Sequence, residues 1–186
     1  MNAINSIKYV SQRDLKWSTI KLGTSDVTVG RMGCLVTCLS MLSDYFGCYQ
    51  TPGEIAMNPS NFDGSANVSW VGLNFPKFSF RWREGSMFSD SKKLDMEMIK
   101  SYMAKDGGGN PDRAVVLEVA NHSHWVVALW PTFDNDILVI DPWTGKTCDV
   151  LKEYKNITGA ALFVRWSNKT KKAWQNPNQP TAPNYD

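Results

Sequence analysis

The order of hydrophobic patterns along the chain predicts an α+β fold, with an antiparallel sheet packed on an early helix. Helical spacing of apolar residues dominates the first part of the sequence. The β-branched and aromatic runs at 114–119, 125–130, 137–140 and 160–165 follow it, separated by Asn, Asp, Pro and Gly. Alternating βαβ units would interleave the two patterns, so a parallel sheet is not expected. Length sets the scale. At 186 residues, with 42% hydrophobic and 20% charged content, the chain suits one domain whose core needs no metal or disulfide as a staple.

In chain order, residues 7–10 read as a short strand and 19–30 as a loop. The stretch GRMGCLVTCLSMLSDYFG, residues 30–47, follows. Leu35, Cys38, Leu39, Leu42, Tyr45 and Phe46 recur at three- and four-residue steps, the period of a helix burying one face, and Gly47 supplies the stop. Thr51-Pro52-Gly53-Glu54 combines a capping threonine, proline at the first helical position and glutamate three after the cap, predicting a short helix through Met57. Residues 58–67 are turn-rich, and 78–83 alternate aromatic and polar residues like a strand. Leu94, Met98, Ile99, Tyr102 and Met103 mark a third helix that ends before the triple glycine at Gly107. Domain organisation is then a folded unit over 1–166 and a polar, proline-containing extended tail over 167–186.

Composition excludes several classes of function. A net charge of +2 gives no reason to expect nucleic acid as a partner, and Lys169, Lys171 and Lys172 fall in the polar tail as a solvated run. No segment approaches a membrane span. The opening MNAINSIKYVSQRD lacks the charged-then-apolar pattern of a secretion signal, so the expected site of synthesis is the reducing cytoplasm. Cys34, Cys38, Cys48 and Cys148 are accordingly read as free thiols.

Cys34 stands out because it opens the apolar helix, directly after Gly33. A glycine there lets the chain turn sharply, and the first turn of a helix presents unpaired N–H groups that favour an anion by roughly 0.3–1 kcal/mol. That assists a thiolate without sufficing for one. The base must come from the only two histidines, His122 and His124, both in NHSHWVVALW. His124 is preferred, since it stands at the strand entry while His122 lies further into the loop. An imidazole paired with a cysteine can draw its pKa from about 8.5 into the range of about 3.5–7.5, and it needs a third group to orient it. Asp141, in ILVIDPW, fits. If the two strands pair about a turn centred between Phe133 and Asp134, partner numbers sum to about 267, which puts Trp143 opposite His124 and Asp141 two residues away. For an oxyanion, the Cys34 backbone N–H is one donor and the Gln12 side-chain amide a second. Trp17, Trp125 and Trp143 are the aromatic residues placed to bind substrate, the last two beside a proposed site residue.

These fragments, QRDLKW, then TVGRMGCLVTCLSML, then HWVVALW, then IDPW, resemble the stand-alone relatives of the bacteriocin-processing peptidases, a branch of the papain-like cysteine peptidases. The resemblance spans about residues 11–141. It implies a papain-like fold without a cofactor, Cys34 as nucleophile, His124 as base, Asp141 as its orienter and Gln12 as oxyanion donor. Here Trp17 to Met32 separates Gln12 from Cys34, where transporter-linked members keep the two within a few residues. By the same resemblance the implied partner is a peptide or peptidoglycan substrate. Bacteria and phages are the implied setting, with virion association or release to the cell wall as delivery routes.

Other readings use the same residues. Cys34 and Cys38 with His122 and His124 make two pairs of zinc ligands, although the cysteine spacing is loose for such sites. Cys38, one turn beyond Cys34 on the apolar face, reads as core. A papain-like binding module or virion component with an idle triad, or an acyl transferase using the same thiol, would carry the same motifs.

Overall fold

A computed structural model describes residues 7–84, 96–103, 112–132 and 134–166. The expected tail from 167 onward, Leu94 and the triple glycine lie outside the described residues. Among those described, the chain is mixed helix and sheet, with six strands in one antiparallel sheet. Strands β1 (Phe78–Glu84), β2 (Arg113–Val119), β3 (His124–Pro131), β4 (Ile137–Asp141), β5 (Lys146–Asp149) and β6 (Ile157–Arg165) are ordered β1-β6-β2-β3-β4-β5. Helices α1 (Val29–Met32), α2 (Cys34–Tyr45), α3 (Pro52–Met57), α4 (Met96–Met103) and α5 (Val150–Tyr154) surround it. No helix of the described residues is long and apolar enough to cross a membrane.

The central strands are apolar on both sides because both faces of the sheet are covered. Val116, Trp125, Val127, Leu129 and Phe163 point into the core shared with α2. Val115, Leu117, Val126, Ala128 and Leu162 point the other way, into a second core with Ile99 and Met103 of α4. Each strand alternates between two buried layers, so the sequence reads as an unbroken hydrophobic run.

Helix α2 is buried more completely than a one-sided pattern predicts: of its twelve residues, all but Asp44 are buried. Its buried polar positions are small hydroxyls, of which Ser40 and Ser43 are paired locally while Thr37 Oγ1 has no hydrogen-bond partner. Ser40 Oγ donates to the Gln50 carbonyl at 2.6 Å, Ser43 Oγ to the Ser40 carbonyl at 2.6 Å, and Gln50 N–H to Ser43 Oγ at 2.8 Å. A helix whose buried side chains carry only a few small hydroxyls, most of them paired, can be enclosed nearly all round. Burying Leu39, Met41 and Leu42, each fully enclosed, contributes roughly 1.5–3 kcal/mol per side chain. Gly47 ends the helix with φ of +76°, as its position predicts.

The capping signature of α3 is formed: Thr51 Oγ1 accepts from Glu54 N–H at 3.2 Å, and Glu54 Oε2 accepts from Thr51 N–H at 2.7 Å. Residues 7–10 are not a strand. They pair with no strand, and Ile7 and Val10 bury their side chains against the α2 core. The β3–β4 hairpin has the predicted register, with Val127 opposite Ile140 and Ala128 opposite Val139, each pair summing to 267. A bulge between Ala128 and Trp130 then shifts the ladder by one towards the turn.

Candidate active site

Three stretches far apart in sequence converge: the start of α2, the start of β3 and the end of β4. Cys34 is the first residue of α2 and is 9% exposed. Gly33 before it has φ of −84°, an ordinary conformation, so its smallness serves close packing and not a left-handed turn. A Cβ at Gly33 would stand 2.5 Å from the Val29 carbonyl oxygen and 2.7 Å from Val29 Cα. Gly30 is pressed in the same way, with a Cβ placed 2.8 Å from the Ser18 carbonyl oxygen. The two glycines therefore let α1 abut α2 and let the 17–20 turn cross over the junction. The result is a helix start whose N–H groups have no partner inside the helix, with the sulfur beside them.

His124 opens β3 and Asp141 closes β4. The register that pairs Val127 with Ile140 brings these two strand ends together, and His124 Nε2 lies 2.7 Å from Asp141 Oδ1. The carboxylate is held from its other sides by Trp143 N–H, donating to Oδ1 at 2.8 Å, and Thr144 Oγ1, 3.3 Å from Oδ2. The pair is enclosed, with 14% of the His124 side chain and 9% of the Asp141 side chain exposed. The ring's other polar neighbour is the Cys34 thiol. With Nε2 committed to Asp141, Nδ1 is the nitrogen left for the sulfur.

The protonation equilibria follow from this packing. Burial of the imidazole opposes its charge, but the hydrogen bonds to Asp141 and Cys34 and the negative charge of both outweigh it and lift His124 to about 9. Burial likewise opposes the charged form of Asp141. The His124 hydrogen bond and the Trp143 N–H overcome it, and the carboxyl sits below its ordinary value. Chemically, a thiol, an imidazole and a carboxylate in this sequence can hold a thiolate–imidazolium pair with the proton stored on the ring.

The remaining expected residues fall into three groups. Gln12 reaches the site's supports: its backbone N–H donates to Pro142 O at 2.7 Å, and its side-chain amide to Gly30 O at 3.2 Å and Val29 O at 3.4 Å. The amide thus faces the carbonyls ahead of α2, and its buried Oε1 has no protein partner. Trp17 and Trp125, 8% and 7% exposed, belong to the core, while Trp143 is 44% exposed with the Arg13 guanidinium 4.8 Å over its ring. Of the three tryptophans expected to meet substrate, Trp143 alone presents an open surface, because Trp17 is drawn inward by its indole N–H bonding Ser11 O at 2.7 Å.

The four residues of the zinc reading do not gather. His122 Nδ1 turns to Glu118 Oε2 at 2.9 Å, and Cys38, fully buried, places its sulfur 3.4 Å from the Trp125 carbonyl. Among the described residues no group of three or more Cys, His, Asp or Glu is placed to hold a metal ion. Burial pushes the Cys38 thiol well up, with the negative charges of Cys34 and Asp141 adding to it. All four cysteines are unpaired.

Tyr154 is the residue that sequence reasoning missed. It lies at the end of α5 with its ring centroid 5.8 Å from that of His124. A five-residue helix is too short to show a period, and nothing local to EYKN marks a ring that packs beside His124. Comparisons with family models, curated proteins and solved structures return no match to this chain.

Proposed function

We propose that this chain is a papain-like thiol hydrolase that cleaves peptide or related amide bonds. The observation that carries the reading is His124 Nε2 at 2.7 Å from Asp141 Oδ1, with the Cys34 thiol near enough to act on the charge of the ring. In the reaction, the Cys34 sulfur attacks the carbonyl carbon, and the oxyanion meets the N–H groups at the start of α2. The imidazolium gives its proton to the leaving amine as the C–N bond breaks, leaving a thioester. Water, deprotonated by the now neutral His124, attacks that thioester and releases the carboxylic acid and the thiol. Asp141 keeps the ring in one orientation through both halves. The order of Cys34, His124 and Asp141 and their neighbouring motifs support descent alongside the stand-alone relatives of the bacteriocin-processing peptidases, with peptidoglycan peptides as one substrate class.

Alkylation of the native chain tests the reading. Iodoacetamide should modify Cys34 in the native state near neutral pH about tenfold or more faster than it modifies the same cysteine in urea, because on this reading the His124 imidazole activates the sulfur. A native rate no greater than that of an ordinary thiol overturns it. Mass spectrometry of products from a peptide library and from muropeptides then identifies the bond, with Cys34→Ala as the inactive control.

A further inference from the structure

Between β2 and β3 the chain turns through three consecutive residues in the left-handed region, Ala120, Asn121 and His122, with φ of +51°, +52° and +68°. Asparagine tolerates that conformation, but alanine keeps it only where its surroundings hold it there. The turn delivers the first residue of β3, His124, which pairs with Val119 across the hairpin. Three short-range bonds close over it. Ser123 Oγ donates to the Ala120 carbonyl at 2.6 Å, the His122 N–H donates to Thr158 Oγ1 at 3.3 Å, and Thr158 Oγ1 donates to the Glu118 carbonyl at 3.2 Å. Thr158 is available for this because an irregularity in the ladder pairs its neighbours Ile157 and Gly159 with Val119 and Glu118 and passes over Thr158 itself. The remaining tie is to a buried charge. Glu118, 3% exposed, takes the Arg83 guanidinium on Oε1 at 2.8 Å, and His122 Nδ1 lies 2.9 Å from its Oε2. A carboxylate paired with a guanidinium is an acceptor, so Nδ1 carries the proton of the second bond.

We infer that His122 is a positioning residue of the active site, whose hydrogen bond to buried Glu118 fixes the 120–123 turn and through it the His124 imidazole. This rests on the hydrolase reading and deepens it. Glu118 is a firm anchor because it sits inside the sheet, paired with Trp125 on one side and Gly159 on the other. Its guanidinium partner lies 5.0 Å over the Trp125 ring and 5.3 Å over that of Trp70, so the carboxylate is braced against the residue that follows His124. The turn needs such an anchor. On the β4 side the ladder begins by pairing Val127 with Ile140, three residues beyond His124, which leaves the His124 backbone held from β2 and by the turn itself. The two histidines therefore divide the work: His122 bonds the scaffold, and His124 bonds Asp141 at 2.7 Å. A support of this kind matters because a reactive side chain displaced by about 1 Å can lose on the order of 10²-fold in rate.

The test uses the full chain with His122→Asn and His122→Gly. Asparagine carries its amide nitrogen where histidine carries Nδ1, so it keeps the bond to Glu118, while glycine accepts the left-handed backbone and cannot make that bond. Both substitutions remove the same titratable ring and leave His124 as the chain's one histidine, so a difference between them reads the tether and not a charge. The measurements are the downfield proton resonance of His124 Nε2–H bonded to Asp141, and iodoacetamide labelling of Cys34 near neutral pH. His122→Asn should keep the resonance and label Cys34 within about twofold of the parent. His122→Gly should broaden or lose the resonance and label Cys34 about tenfold more slowly, at a temperature where circular dichroism shows both variants folded. Resonance and labelling unchanged in both variants overturn the role of His122 while leaving the hydrolase reading standing. Equal loss in both also overturns it, because the bond to Glu118 would then not be what matters. A parent protein that lacks the resonance and whose Cys34 labels no faster than an ordinary thiol overturns both readings.

Discussion

Replacing Asp141 by asparagine preserves the size of the side chain and removes its charge, and its consequence for stability can be worked from the site. His124 is lifted from 6.5 to about 9 in the folded state. At about 1.4 kcal/mol per unit, the folded protein gains about 3 kcal/mol from the protonated ring, fully present below pH 6.5 and lost as the pH rises through about 9. In Asp141→Asn the burial that depresses the imidazole remains and the carboxylate charge is gone, so His124 falls back towards an ordinary value and most of that increment disappears. Urea unfolding of both chains under reducing conditions, followed by tryptophan fluorescence near pH 6 and near pH 9, measures it. Cys148 is itself pushed up to about 11 by burial first and the Asp141 charge next, so it responds to the substitution, and Cys148→Ala is carried in both chains to keep its titration out of the difference. Because Cys34 also raises the imidazole and is present in both chains, the parent should lose about 2 kcal/mol more than the variant between the two conditions. Parallel pH dependence, within about 0.5 kcal/mol, refutes the proposed charge pair. With a cleavable substrate in hand, the same variant should lose about 10²- to 10⁴-fold in kcat.

Gly33→Ala should destabilise the fold by about 1–3 kcal/mol and slow Cys34 alkylation, because the new methyl group meets Val29 backbone at 2.5–2.7 Å; thermal denaturation and labelling read the two effects. Cys38 should stay unlabelled in the native protein, its thiol being fully enclosed and raised by burial. Cys38→Ala should cost roughly 1–2 kcal/mol in urea unfolding and leave Cys34 labelling within about threefold of the parent. Loss of bound zinc together with stability in that variant would restore the metal reading.

Much of this arrangement was legible in the sequence, for identifiable reasons. Long apolar segments declared themselves: the α2 period, the paired signals at Thr51 and Glu54, and the β-branched runs of β2, β3 and β6 all correspond to elements. The hairpin register was within reach because a turn centre and a period of two fix every partner, and the bulge near Ala128 falls on the turn side, where it leaves His124 and Asp141 undisturbed. Short or polar elements were hidden. β5, of sequence KTCD, is an edge strand with no fully buried residue, and α1 and α5 span only four and five residues, less than the window a helical period needs. Trp17 was misleading because a tryptophan beside a candidate site says nothing of which way its ring faces. Gly33 was placed correctly for a different physical reason, close approach in place of chain reversal.

The supports of the site share one design, in which each reactive side chain is fixed by a bond made very near it in the chain. Trp143 N–H, two residues beyond Asp141, bonds that carboxylate at 2.8 Å. The Trp125 carbonyl, one residue beyond His124, lies 3.4 Å from the sulfur of Cys38, one helical turn beyond Cys34, so α2 is registered against β3 beside the two groups that must meet. Gln12 joins the remaining pair of segments, its backbone N–H on Pro142, next to Asp141, and its amide on Gly30, four residues before Cys34. Ser11 Oγ reinforces that tie by donating to Trp143 O at 3.1 Å. Short lever arms matter because proton transfer and attack tolerate errors of only about 0.5 Å, and a tie made several turns away would pass on the flexing of everything between. The buried amide of Gln12 is thus a strut between the Cys34 and Asp141 segments, and under the proposed hydrolase mechanism the helix N–H groups beside Cys34 are the ones left to meet an oxyanion.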